Sequence, residues 1–138
     1  MTALEAAYLA GLLDGEGCIA IRTRPDGWVN ACLEICMTDR RPLDWAARVT
    51  GAGRVYSGIE GRSNRRQPYH WKVGSVAAAA AILRQVEPFM QVKRGQAKAF
   101  LVLGHLRAAK SRATGPRDHG EAEHALARIV RHLKDAGQ

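Results

Sequence analysis

The chain has 138 residues, 46% hydrophobic and 25% charged, which suits one soluble globular domain, 1–138, and excludes both wholesale disorder and two ordinary domains. Twenty-one Lys and Arg against 13 Asp and Glu leave a net charge of +8, a balance that fits a polyanion binder. Asp14 and Glu16 interrupt the longest N-terminal apolar candidate, no basic segment precedes it, and three cysteines make a poor disulfide framework, so membrane and secreted classes are set aside for a cytoplasmic protein, nucleoid-associated in a prokaryote.

Residues 4–13 are apolar or small, lack proline and predict a helix. Leu4, Tyr8 and Leu12 recur every four positions, and Leu9 and Leu13 do so on the adjoining face. Ala7, Gly11 and Gly15 form a third row, whose small side chains would let another helix come close. Asp14-Gly15-Glu16-Gly17 stops the helix, with a glycine for a left-handed cap. Two strands follow. From Cys18 to Arg24, Ile19 and Ile21 face one way and Cys18, Ala20, Arg22 and Arg24 the other. Pro25-Asp26-Gly27 is a turn. From Trp28 to Thr38, Val29, Ala31, Leu33, Ile35 and Met37 point inward, and Trp28, Asn30, Cys32, Glu34 and Cys36 outward.

Asp39 caps a second helix over about 41–49, with Pro42 in its first turn, and Gly51-Ala52-Gly53 ends it. Residues 54–58 and 68–73 form a second hairpin around an Arg-rich loop, 61–66, with Tyr69, Trp71 and Val73 on the core face and His70 and Lys72 outward. Ser75 caps an Ala-rich helix to about Val86, which Pro88 breaks. Helices over about 94–110 and 121–134 flank a linker at 111–120. The order αββαββα with added helices is a mixed α+β fold, and its halves do not repeat in sequence.

The string Tyr8-Leu9-Ala10-Gly11-Leu12-Leu13-Asp14-Gly15-Glu16-Gly17 resembles the signature of the LAGLIDADG homing endonucleases, with Leu for Ile, Gly for Ala and Glu for the second Asp. Pro88-Phe89-Met90-Gln91-Val92-Lys93-Arg94-Gly95-Gln96-Ala97 is similar to the segment that supplies that family's catalytic lysine. The order of elements follows the family over at least residues 4–110. Two carboxylates at a helix C-terminus repel one another and the macrodipole, and a cation relieves both. Mg2+ suits such a site because it takes a few carboxylates with water and phosphate oxygens. Without the resemblance, Asp14 to Gly17 reads as a polar helix stop; with it, Glu16 becomes the metal ligand and Asp14 a brace at the helix junction.

The resemblance implies a site-specific double-strand DNA endonuclease that uses Mg2+, with Mn2+ able to substitute, bound through Glu16 and Gly15. One motif per chain implies a homodimer that packs through Ala7, Gly11, Leu12 and Gly15, brings two Glu16 side chains to the two-fold axis and cuts a pseudo-palindromic target across the minor groove, leaving 3′ overhangs. Lys93 matches the family's catalytic lysine, and Arg41 a second basic residue, for which a register slip would substitute Arg40. Met37 stands where the family often has Gln. A saddle-shaped antiparallel sheet would present Arg22, Arg24, Trp28, Asn30, Glu34, Tyr56, His70 and Lys72 to the major groove. Arg with guanine, Asn with adenine and Glu with cytosine are workable edge pairings. Arg62, Arg65 and Arg66 suit phosphate contacts. The alternative is a catalytically silent DNA-binding regulator, or an intron RNA maturase, on the same scaffold. Cys18, Cys32 and Cys36 lack zinc-site spacing and read as free thiols, and His105, His119, His124 and His132 as surface or packing residues.

Overall fold

A computed structural model describes residues 1–58, 67–111 and 120–137. Arg62, Arg65, Arg66 and most of the expected linker lie outside the described residues.

Helix α1 runs from Ala3 to Glu16. A capping box starts it: Glu5 N–H donates to Thr2 Oγ1 at 3.1 Å, and Thr2 N–H donates to Glu5 Oε2 at 2.7 Å. The Thr-x-x-Glu spacing carried that signal, which the apolar periodicity alone does not show. Asp14 to Glu16 stay helical rather than stopping the helix, and Gly17 ends it in extended, not left-handed, conformation (φ −84°). Glycine is needed there for space, since a Cβ would lie 2.6 Å from the Leu13 carbonyl oxygen.

Strands β1 (Gly17–Thr23) and β2 (Val29–Met37) pair antiparallel across the expected turn. Gly27 takes a positive φ of 83° in that turn, and Asp26 Oδ1 accepts from Trp28 N–H at 3.0 Å. Helix α2 spans Arg41–Thr50, and Gly51 caps its C-terminus in the left-handed conformation. Arg40, not Asp39, occupies its N-cap and makes no side-chain cap bond. Asp39 Oδ1 instead accepts from Arg41 N–H at 3.0 Å, from one residue further out. Strands β3 (Arg54–Ser57) and β4 (Tyr69–Val73) form the second hairpin, and β4 pairs with β2, giving one four-stranded antiparallel sheet ordered β1-β2-β4-β3. Helix α3 (Val76–Val86) begins at Ser75, whose Oγ accepts from Ala78 N–H, and a single 3-10 turn at Glu87–Phe89 carries Pro88. Helices α4 (Arg94–Ser111) and α5 (Glu121–Asp135) follow.

The core lies between one face of the sheet and the helices. Leu9, Leu13, Ile19, Leu33, Ile35 and Trp71 are fully buried there, closed by Leu83 and Phe100. Trp71 donates from Nε1 to the Ala52 carbonyl at 3.0 Å, so even its polar edge is satisfied. Ala20 is buried although strand parity places it outward, because a methyl between larger cross-strand neighbours is covered by them. Met37 and Tyr69, at the end of the β2–β4 ladder, are only half-buried on the core side.

A buried charge fastens α5. Glu123 is 2% exposed and lies 3.1 Å from Arg107 Nη2 and 3.4 Å from Lys110 Nζ, both on α4. Arg107 also donates to the Val29 carbonyl at 2.6 Å, so one guanidinium ties α5, α4 and the start of β2 together. Removing one member of a buried pair strands the other charges. Glu123→Ala is expected to lower stability by about 3 kcal/mol, seen as a fall in the urea midpoint at unchanged slope. An unchanged midpoint would show that α5 is held by apolar contact alone.

Candidate active site and nucleic-acid interface

The C-terminus of α1 is a heavily constrained polar site. Asp14 accepts from two backbone N–H groups, Gln91 at 2.7 Å and Lys93 at 2.9 Å. Lys93 Nζ reaches back to donate to the carbonyls of Leu13 at 2.9 Å and Asp14 at 2.7 Å. A cation at the negative end of the helix dipole, satisfying terminal carbonyls, is favoured on both counts. Partial burial pushes the Lys93 ammonium below its ordinary pKa; the nearby Asp14, Cys18 and Glu16 favour its charged form, and Lys134 opposes it.

Glu16 is the last residue of α1, exposed, and among the described residues no hydrogen bond or ion pair engages its carboxylate. It sits where the helix hands over to β1, and Gly17 pairs with Ile35, beside Cys36. Burial raises the Cys36 thiol pKa, and the charges of Glu34 and Glu16 raise it further. The structure therefore brings Glu16, Gly15 and Lys93 to one helix end. Arg41 is elsewhere engaged: its Nε donates to both Asp39 oxygens, at 3.0 and 3.1 Å, on an exposed corner. That guanidinium holds the Asp39 carboxyl down at about 2. Arg40 is likewise paired, to Asp44 at 3.1 Å, and lies over the Tyr69 ring.

Across the sheet's outward face the register aligns side chains in rows. Tyr56, His70 and Cys36 form one, Arg54, Lys72, Glu34 and Cys18 the next, then Cys32 with Ala20, then Asn30 with Arg22. Arg22, Asn30, Arg54, Tyr56 and Lys72 are exposed, and Glu34, Cys36 and His70 half-buried. Glu34 is not a free acceptor, because its Oε1 is 2.6 Å from His70 Nδ1. The His70 ring stacks on Tyr56 (centroids 5.2 Å, planes 9° apart) and its Nε2 is 3.8 Å from Cys36 Sγ. Arg24 and Trp28 sit beside and within the turn rather than in the rows; Arg24 pairs with Asp26 at 3.0 Å, and Trp28 is half-exposed just before β2. Arg54 is a further exposed cation on this face, and the same parity that selects Tyr56 would have found it. Lys134 of α5, whose Nζ lies 3.3 Å from Cys18 Sγ, is another; no local pattern marks it. The three cysteines are free, and no cluster of three or more His, Cys, Asp or Glu among the described residues could hold a metal by itself. No helix of the described chain is long and apolar enough to cross a membrane.

This architecture is that of the LAGLIDADG homing endonucleases, as solved structures show. The homing endonuclease I-CvuI, in complex with its target in the presence of calcium, aligns over 96% of each chain with a TM-score of 0.62 at 20% identity. The archaeal intron-encoded homing endonuclease I-Vdi141I, complexed with DNA, aligns over 95% of this chain and 97% of its own, with a TM-score of 0.58 at 19% identity. I-SmaMI, bound to an uncleaved DNA target in the presence of calcium ions, gives a TM-score of 0.68 at 19% identity over 95% of this chain but 48% of its own. No protein-family model and no curated protein sequence matches the chain. The chain thus carries a LAGLIDADG-like motif on the LAGLIDADG fold.

Because Asp14 carries two backbone donors, Asp14→Ala is expected to destabilise the fold by about 2 kcal/mol or more. Hydrogen exchange should show the loss at the Gln91 and Lys93 amides; protected amides there in the variant would mean the brace is held by other contacts.

Proposed function

We propose that the protein is a divalent-metal-dependent, site-specific DNA endonuclease that works as a homodimer. The observation that carries this reading is the exposed, unpaired Glu16 carboxylate at a helix end otherwise saturated by Asp14 and Lys93. A carboxylate left without a protein partner at that helix end can take a cation, which DNA binding alone does not require. The donor set fits a hard cation that keeps much of its water: one carboxylate, with the Gly15 carbonyl beside it, and a second such pair from a partner copy. Mg2+ held there would neutralise phosphate charge and lower the pKa of a bound water. Lys93 has three ammonium donors and spends two on carbonyls, which leaves one to meet charge developing on a phosphate oxygen. Arg41, bonded to Asp39 on its exposed corner, adds no donor to that helix end.

Two features support a dimer. Alignment with I-SmaMI covers about half of that chain, 48%, so two copies here would match its length. The α1 face opposite the core is also apolar yet open: Leu4 is 84% and Tyr8 52% exposed, and nothing lies within 4 Å of a Cβ added at Gly11 or Gly15. Glycine in an exposed helix costs about 1 kcal/mol relative to alanine and brings the lone protomer no packing in return. A second copy seated along Ala7, Gly11, Leu12 and Gly15 gives that row a purpose.

With a randomised duplex library and Mg2+, the wild-type protein should cut both strands, and Glu16→Gln should lose cleavage while retaining DNA binding. Cutting by Glu16→Gln at the wild-type rate would refute the site, and binding without cutting by the wild type would favour a silent DNA binder. Gly11→Leu should fold at least as stably as wild type but sediment as a monomer and fail to cut both strands. A dimer persisting in that variant would move the interface off α1.

A further inference from the structure

A cleft of about 310 Å³ runs between the edge strand β1 and helix α5, along the margin of the outward face. Its floor is apolar, from Ile21, Ala127 and Val130. Arg22, Arg128, Arg131 and Lys134 stand around it, with Asp135 as the one acid in the lining. Arg128 is neutralised by Glu121 at 2.8 Å. The other three cations make no ion pair among the described residues. Residues 127, 130, 131 and 134 fall on one helical stripe, so the face of α5 that meets β1 apolar-first ends in cations at its rim.

We infer that this cleft is a phosphate-binding trough, in which Arg22, Arg131 and Lys134 grip the DNA backbone flanking the cleaved position. The inference rests on the endonuclease reading and extends it to residues on α5. The cleft joins both parts of the proposed site. Lys134 lies against Cys18, two residues beyond Glu16, and Arg22 pairs with Asn30 on the outward face. Strand rise places Arg22 about 13 Å beyond Cys18, the axial length of about four nucleotides of one DNA strand. Three unneutralised cations along that length match a row of phosphodiesters. A small carboxylate ligand would meet only one end of it. Arginine forks suit phosphate oxygens geometrically, and an apolar floor weakens the competition from water. The Glu123 ion network holds α5 against α4 and so keeps the two cations of that helix at the edge of β1.

The test needs no knowledge of the target, because backbone contacts are independent of sequence. Binding of the full chain to a random-sequence 30-base-pair duplex is measured across a salt series. For Arg131→Gln/Lys134→Gln the salt slope should shrink by about 2 per protomer, with affinity falling by a similar factor on every sequence tried. Arg131→Lys/Lys134→Arg should restore the slope. Both side chains are exposed, so the urea midpoint should not move, which separates a lost contact from lost folding. An unchanged slope in the double variant, alongside salt-dependent binding by the wild type, overturns the trough alone. A loss confined to particular sequences also overturns it, since that marks base reading. Failure of the wild type to bind any duplex overturns the endonuclease reading and the trough with it.

Discussion

Four hydrogen bonds between the last turn of α1 and residues 91–93 orient everything else at the site. Helix α1 ends in two carboxylates, at the pole where the macrodipole disfavours negative charge and where carbonyls lose their helical partners. Asp14 is stabilised by the Gln91 and Lys93 amides, and the exposed carbonyls by the Lys93 ammonium. The exchange is reciprocal, so the helix end and the entry to α4 are clamped as one unit. With Asp14 spoken for, Glu16 is the carboxylate left facing outward, and Gly17 turns the chain straight into β1. The direction of the strand that edges the outward face is therefore set by the clamp that holds the candidate metal ligand.

The sheet below this clamp is two-faced for an equally simple reason. Side chains alternate along each strand, and the helices cover only one side. On the other side, the antiparallel register places Glu34 against His70, and Tyr56 over the same ring. A carboxylate already bonded to an imidazole presents to a ligand as part of a fixed pair. Base recognition by this face, on the proposed reading, would come from that composite surface of acid, imidazole and phenol. Arg54 and Lys72, by contrast, are exposed and make no ion pair among the described residues, which on the proposed reading suits them to backbone contact.

Small side chains on α1 have opposite meanings on its two faces. Ala6 and Ala10 are buried and let α1 settle onto the core. A Cβ added at Gly11 or Gly15 would meet nothing within 4 Å among the described residues. Exposed glycine within a helix is a weakness in an isolated chain, and exposed Leu4 and Tyr8 beside it leave apolar surface in water. Both become sensible when the row is a contact surface, which is the energetic support for the proposed dimer. Tyr8 is only partly committed, standing edge-on to Trp45 at 4.8 Å.

Local chemistry makes much of this protein readable from its sequence. Turn residues at Pro25-Asp26-Gly27, caps at Ser75 and Gly51, strict alternation in β1 and β2, and the apolar spacing of α1 each report on neighbours a few residues away. The elements, their order and the inward residues Ile19, Leu33, Ile35 and Trp71 follow from such short-range signals, as does the motif that singles out Glu16. Contacts distant in the chain were decided only by folding. The reach of Lys93 to α1 spans about 80 positions, the Glu34–His70 pair 36, and the arrival of Lys134 beside Cys18 116. Nothing in a residue's own surroundings announces such a partner, because a side chain's free energy depends on what the completed fold brings against it. Ala20 and Glu123 make the same point about burial: a methyl and a carboxylate whose neighbours along the chain say surface became interior once cross-strand neighbours and a guanidinium closed over them.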